Sequence, residues 1–398
     1  MAGMELFGQE ERNEVNEVLE TGMLFRYNFD LERKAKWKAK EFEREIARFT
    51  GAKYCHTCSS GSTAVSLLLA TSGVGAGDEV IVPPFTYIAT IEAVLWAGAI
   101  PVFAEIDDTL NLSPEGIEAV ITEKTKAVCL VHMCGSMARL DEIMDVCERK
   151  NILLLEDTAQ ALGTFYKGKH VGLYGKAGTF SFDFFKIITA GEGGAIFTND
   201  EDIADKMHML SDHGHDHIGD NRGAEQHPIL GFNFRIGEMN AAVGLAQIRK
   251  LDYILEMLKK NKTIMKEALS KYKQITFRNI PDPEGDSATF LNFFLPDEKT
   301  TRSVVNAMRE EDVGGLQYWY DNNFHYIKNW HHLKDFSVAA KLPVQVIAPE
   351  VNYNDVKTPK SDDLMSRLIS LVVNVSWSED ELNIHLARIT NALDRFLK

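Results

Sequence analysis

"ILLLEDTAQALG", Ile152–Gly163, decides how the chain is read. Four apolar residues in a row, stopped by two acids, suit a strand covered on both faces, as strands of parallel sheets are. In open sheets of that kind ligands bind beyond the carboxyl ends of the strands. Asp157 therefore stands where a ligand would be met, with Gln160 one turn further on. A helix cap is the other use of a carboxylate at such a place.

Outward from this strand, between about Gly51 and Asp200, short apolar runs alternate with amphipathic segments. The runs "EVIVPP", "PVFAEID", "KAVCLVHM", "GTFSFDF" and "GAIFTND" read as further strands. "ATIEAVLWAG", "SPEGIEAVITE" and "LDEIMDVCERK" read as helices, the second opened by Ser113 as N-cap and Pro114 in the first turn. Repeated strand–helix units predict an α/β fold around a mostly parallel sheet. Before them, "KWKAKEFEREIARFTG" predicts a helix. After them, one helical stretch from Ile236 to Tyr272 is long enough to link two domains. Strand-like "ITFRNI" and "ATFLNFFLP", a helix at "TTRSVVNAMREEDV" and a last helix at "SEDELNIHLARITNALDRFL" then describe a small α+β domain. The expected division is residues 1–250 for an N-terminal segment and large domain, and 251–398 for the linker helix and small domain. With 398 residues, one large core and a smaller one are the natural expectation.

The chain carries 58 acidic against 43 basic residues, a formal charge of −15. That balance disfavours nucleic acid and anionic membrane surfaces as partners, while leaving room for a small anion in a local pocket. The N-terminal residues lack a basic segment followed by an apolar run, and no apolar stretch approaches the ~20 residues that cross a bilayer. A cytoplasmic protein is expected. Five cysteines, an odd number, make no disulfide framework. "CHTC", Cys55–Cys58, has the spacing of a redox dithiol or half a zinc site but lacks a second pair, so buried, inert thiols are expected. "DHGHDH", Asp212–His217, could hold a transition metal. Loop polarity near an anionic ligand is the plainer reading, and no metal is assigned.

The chemistry concentrates in two places. In "SSGSTAVSLLLA", Ser59–Ala70, small hydroxyl residues and a glycine precede an apolar helix, so free N–H groups and the helix dipole converge as they do around a phosphate. In "TFSFDFFKIITAGEGGAIFTND", Thr179–Asp200, Lys186 sits among Phe184, Phe185, Ile187 and Ile188, costly surroundings for an ammonium group unless chemistry or a partner uses it. A strand edge from which the lysine reaches solvent is the alternative. Taken together, a phosphate cup, the aromatic segment "PPFTYIAT", a strand-end aspartate, Ser181 and an amine are the parts that pyridoxal phosphate requires. Its aldehyde needs an amine, its ring nitrogen a carboxylate, its phosphate donors.

Four blocks, "PPFTYIATIEAVLWAGAIPVFAEID", "EDTAQALG", "SFDFFKIITAGEGG" and "GFNFRIGEMNAAVGLAQ", resemble in order and spacing the DegT/DnrJ/EryC1/StrS family of sugar aminotransferases. The resemblance runs from about Phe42 to the C-terminal helix. It implies a type I aminotransferase fold, a homodimer with shared active sites, pyridoxal 5′-phosphate as cofactor, and transfer of an amino group from glutamate to a sugar carbonyl. Lys186 then matches the Schiff-base lysine, Asp157 the partner of the ring nitrogen, Gln160 the residue beside the phenolic oxygen, and Tyr87 the stacking aromatic. Gly61, Ser62, Thr63 and Ser181 match the phosphate site, and Asn233 an asparagine reaching the neighbouring subunit's phosphate. A branch with histidine in place of the lysine performs dehydration; here the position is lysine.

"GMLFRYNFD" replaces a "GW" segment common in the family, and "GSTAV" replaces "GTAAL". "FFKIITAGEGGA" with "SDHGHD" resembles a subset that aminates C8 of a 3-deoxy-octulosonate for surface polysaccharide. On that basis the expected acceptor is the octulosonate aldehyde, its carboxylate held by Arg26, His213, His215, His217 and Arg235. The alternative acceptor is a nucleotide-linked 4-keto-6-deoxyhexose. A metal-dependent hydrolase built on the histidines and a cofactor-binding regulator are the remaining readings.

Overall fold

The computed structural model describes residues 2–219 and 221–397. Its first and larger sheet uses β1 (Tyr54–Cys58), β2 (Glu79–Val82), β3 (Ile100–Phe103), β4 (Thr125–Val131) and β5 (Leu153–Asp157). A small hairpin of β6 (Phe165–Tyr166) and β7 (Lys169–His170) stands apart, and β8 (Gly178–Ser181) and β9 (Gly194–Thr198) complete the seven strands. Their order is β1-β9-β8-β5-β4-β2-β3. Neighbours from β8 to β3 run parallel, and β9 runs antiparallel to both β8 and β1. This is the type I aminotransferase arrangement, a mostly parallel sheet flanked by helices.

β1 falls on "YCHTC", which the spacing of its cysteines had marked for redox or metal chemistry. All five cysteines are free and buried. Cys58 is fully enclosed, and burial pushes its thiol up to about 11, so the pair packs as small apolar side chains do.

The helix Lys38–Thr50 buries Phe42, Ile46 and Thr50, spaced by four, and ends at Gly51 with φ +76°. Phe42 presses on the helix Glu238–Ile248, where a Cβ at Gly244 would lie 2.5 Å from the ring. The helical stretch expected to run unbroken to Tyr272 is two helices, Glu238–Ile248 and Leu251–Leu269. They part at Arg249 and Lys250, and the Lys250 ammonium donates to Glu11 and the Leu6 carbonyl.

The second sheet is antiparallel, ordered β10-β11-β13-β12, from β10 (Thr276–Phe277), β11 (Phe290–Phe294), β12 (Leu316–Gln317) and β13 (Leu368–Val372). Helices Glu298–Glu310 and Glu379–Asp394 accompany it. A short ladder ties this part to the first: the N–H groups of Thr86 and Ile88 donate to the carbonyls of His325 and Phe324 (3.0 and 2.9 Å), and Ile327 N–H donates to Pro84 (3.0 Å). Tyr87 and His325 are thereby fixed as neighbours. Among the described residues no helix is long and apolar enough to cross a membrane.

Candidate active site

At the carboxyl ends of β5 and β8 lies a cavity of about 330 Å³. The segment after β1 closes one side. Ser60 caps the helix Gly61–Thr71 by accepting the Thr63 N–H at 3.1 Å, and the Thr63 hydroxyl answers by accepting the Ser60 N–H at 3.0 Å. Thr63 is thus engaged in the cap and does not line the cavity, although it was expected at the phosphate. Ser60, Gly61 and Ser62 do line it. The N–H groups of Gly61 and Ser62 lack carbonyl partners within their helix by position alone. Ser181 lies so close that a Cβ on Gly61 would sit 2.5 Å from its own Cβ, so no larger residue fits there. Donors, hydroxyls and a helix N-terminus face one space.

Glu156 and Asp157 end the same strand with opposite fates. Glu156 is wholly buried and accepts the N–H groups of Gly172, Tyr174 and Gly175 at 2.8, 2.8 and 2.6 Å, with His132 Nε2 at 3.1 Å. Burial opposes its charge, but His132 and these backbone donors outweigh that and lower its pKa. Asp157, 5% exposed, lines the cavity; its Oδ1 accepts from Ala159 N–H at 3.0 Å and its Oδ2 from the Thr90 hydroxyl at 2.9 Å. Gln160 Oε1 accepts from the Cys134 N–H at 3.0 Å. A backbone N–H can only donate, so the amide's orientation is settled and its –NH₂ group is left as the donor for a ligand.

Lys186 follows β8 in a turn rather than at a strand edge. Its side chain is 14% exposed, with Nζ 3.9 Å from Asp183 Oδ2. Ile187 and Ile188 are buried, while Phe184 and Phe185 project outward. Lys186, Tyr87 and Gln160 also border a second cavity of about 440 Å³, walled by Phe290, Trp319, Phe324, His325 and Val373. His325 stacks near Trp319 and Tyr87, with centroids 4.6 and 5.4 Å away. Burial, then the Lys186 charge, lowers its pKa to about 4. Its Nδ1 meets Asn322 Oδ1 at 3.0 Å, which makes Nδ1 the protonated nitrogen and Nε2 an acceptor.

The residues expected to hold an acceptor's carboxylate are elsewhere. Arg26 is buried, donating to Glu43 and to the Thr57 carbonyl, each at 2.6 Å. His215 Nδ1 lies 2.8 Å from Glu225, His217 Nε2 lies 3.4 Å from Asp212, and His217 stacks on Tyr27. Asp212 is further engaged by Arg222 and Arg235. His213, in a left-handed turn with φ +54°, lines neither cavity, and nor does Asn233. Among the described residues no group of three or more histidine, cysteine, aspartate or glutamate side chains is placed to hold a metal ion.

The model of the DegT/DnrJ/EryC1/StrS aminotransferase family matches residues 6–389. The chain belongs to that family. It is 46% identical over 213 residues to a GDP-perosamine synthase of Caulobacter vibrioides, a match covering 53% of this chain and 56% of that protein. A GDP-perosamine synthase of Vibrio cholerae is 35% identical over 314 residues, 79% of each chain. Among solved structures, the aminotransferase from Psychrobacter cryohalolentis superposes with a TM-score of 0.83 at 27% identity over 98% of both chains.

Sequence reading missed Thr90, Cys134 and the whole second cavity. Thr90 was inside the quoted segment "PPFTYIAT" and is recognisable only once β5 is beside it.

Proposed function

We propose that the chain is a pyridoxal 5′-phosphate-dependent aminotransferase that moves an amino group from glutamate to the keto carbon of a nucleotide-linked 4-keto-6-deoxyhexose. The observation that carries the reading is the first cavity. In it an amine, a strand-end carboxylate, an oriented amide donor and a helix N-terminus face one space.

These residues fit the cofactor. Gly61, Ser62 and Ser181 hold its phosphate, Asp157 its ring nitrogen, the Gln160 –NH₂ its phenolic oxygen, and Tyr87 covers its ring. When bound, it supplies an electron-poor ring that stabilises negative charge developing at the substrate carbon. Lys186 Nζ, the only amine on the cavity wall among the described residues, would take the proton from the donor's carbon in the glutamate half-reaction and deliver one to the acceptor's carbon in the other half. Buried Trp319, on the wall of the second cavity beside Lys186, would keep water from the reacting carbon.

The octulosonate acceptor is given up. Arg26 and Arg235 are already paired with Glu43 and Asp212, neither they nor His213, His215 and His217 line either cavity, and two relatives are named for a GDP-linked product. The protein works as a homodimer in this reading, supported by apolar Ile218, Leu230 and Phe232, 76, 95 and 65% exposed, around the exposed Asn233 that meets the partner's phosphate site. The cytoplasm is the compartment this reading implies.

The test loads the protein with cofactor, converts it with glutamate, and offers each acceptor in a single turnover. A nucleotide-linked 4-keto-6-deoxyhexose should restore the original absorbance. Restoration by the octulosonate aldehyde alone would overturn the assignment.

A further inference from the structure

The carboxylate of Asp157 is held from behind by a directed chain of hydroxyls. Thr90, 2% exposed in the first turn of the helix Ala89–Trp96, has a single hydroxyl hydrogen, and Asp157 Oδ2 lies 2.9 Å away. An ionised carboxylate only accepts, so that hydrogen is committed to it. The Thr90 oxygen is then free to accept, and Thr86 Oγ1, 1% exposed, stands 3.0 Å from it. Thr86 has one hydrogen too. The Tyr87 carbonyl is its other acceptor at 3.3 Å, so the shorter bond runs from Thr86 to Thr90 and the chain points one way, toward Asp157. Hydrogen bonds in series polarise one another, most strongly out of water. With Ala159 N–H on Oδ1, each carboxylate oxygen carries one fixed donor and keeps room for one more.

Thr86 and Thr90 belong to the segment that carries Tyr87 into the cavity and is tied by backbone hydrogen bonds to Phe324 and His325. The piece of chain that forms one wall therefore also fixes the carboxylate.

We propose that Thr90, backed by Thr86, is a positioning residue that holds the Asp157 carboxylate aimed at the ring nitrogen of the cofactor, so that this nitrogen stays protonated. The proposal rests on the functional reading above. Thr90 touches neither substrate nor cofactor and acts only through Asp157.

The experiment uses full-length protein loaded with cofactor labelled with ¹⁵N in the ring. In Thr90→Val, which keeps the shape and removes the hydroxyl, the ring ¹⁵N resonance should move toward the unprotonated position. The rate of the glutamate half-reaction should fall about tenfold or more, the worth of one hydrogen bond to a charged group, with the KM for glutamate changed less than about threefold. Thr90→Ser should restore both signals, and Thr86→Val should shift them in the same direction by less. In an Asp157→Asn background, Thr90→Val should change nothing further.

A wild-type ¹⁵N position and a rate within about twofold in Thr90→Val would overturn the proposal, as would an equal loss in the Asp157→Asn background. If Thr90→Val does not fold, Thr86→Val carries the same test, and an unshifted resonance there overturns it. Wild-type protein that transaminates beside an unaffected variant refutes this proposal alone; wild-type protein that takes up no cofactor refutes the functional reading with it.

Discussion

The two cavities share Lys186, Tyr87 and Gln160 yet are built in opposite ways. The first draws every wall residue from Ser60 to Glu192, from the carboxyl ends of β4, β5 and β8 and the segments that follow β1, β2, β4, β5 and β8, and its working groups are polar. The second collects Leu258, Phe290, Trp319, His325 and Val373 from distant parts of the chain, and its walls are mostly apolar. A polar group at a strand end has few structural uses, so it announces chemistry. An apolar residue has one overwhelming use, burial, and says nothing of which space it borders. Under the proposed function the difference would also divide labour, with the first cavity holding what every turnover needs and the second shaping what is admitted.

If that division is right, the largest loss comes from Lys186, common to both. Lys186→Ala should lower the glutamate and the acceptor half-reactions alike by about four orders of magnitude or more, because no other amine is placed to move the proton. Stopped-flow absorbance measures each half separately. A variant that loses only one half would mean the cavities do not share a catalytic group.

Next in size is the response to acid, where two histidines are held near 4, His325 on the wall of the second cavity and His170 on β7, outside both cavities. His170 is enclosed by Phe165, Phe180 and Phe197, its Nε2 donating to the Leu162 carbonyl at 2.6 Å, and burial pushes its pKa to about 4. The unfolded chain titrates near 6.5. Because the folded value is the lower one, the unfolded state binds the extra proton first as pH falls. Stability should decline from about pH 6.5 and stop declining for this group below about 4, a total of about 3 kcal/mol. Melting temperatures across that range, with His170→Gln as the non-titrating comparison, read the effect. A slope unchanged by His170→Gln would remove His170 from the account.

The second cavity supplies the third prediction. His325 remains neutral down to about pH 4 and offers Nε2 as an acceptor, the partner a sugar hydroxyl needs. His325→Phe should slow the acceptor half-reaction about tenfold, one lost hydrogen bond, and the glutamate half-reaction markedly less. Equal losses in both would collapse the distinction between the two spaces.

How much of this was legible follows the same line. Lys186 and Asp157 stood out because an amine among apolar neighbours and a carboxylate ending an apolar strand each suggest a chemical role before any coordinates exist, whereas Gln160 was picked out through the family resemblance; the fold brings them and Ser181 to one cavity. The parallel sheet was legible too, its strands being continuous apolar runs. β1 was not, since its paired cysteines drew attention away from a buried strand. The break at Lys250 was not, since neither glycine nor proline marks it in the sequence. Arg26 and the histidines of "DHGHDH" proclaim ligand binding by their type, but the fold brings Glu43 to Arg26, Glu225 close to His215 and Asp212 close to His217, and none of these residues lines either cavity.

Thr63 is the smallest and most local case, and it separates binding from capping within one turn of helix. Its hydroxyl accepts the Ser60 N–H and closes the capping box, while Ser62, one residue earlier, lines the cavity. Thr63→Val keeps the branched shape and removes the hydroxyl that reaches back, so the Ser60 N–H loses its partner. The cost should be about 1 kcal/mol of stability, the usual worth of a cap. Cofactor affinity should change less than in Ser62→Ala, because Thr63 contributes no group to the cavity wall. Thermal melting of the cofactor-free protein reads the first quantity and cofactor titration the second. If Thr63→Val weakens cofactor binding more than Ser62→Ala while leaving the melting temperature unchanged, the hydroxyl serves the phosphate after all, and the boundary between cap and cup lies one residue further along the helix.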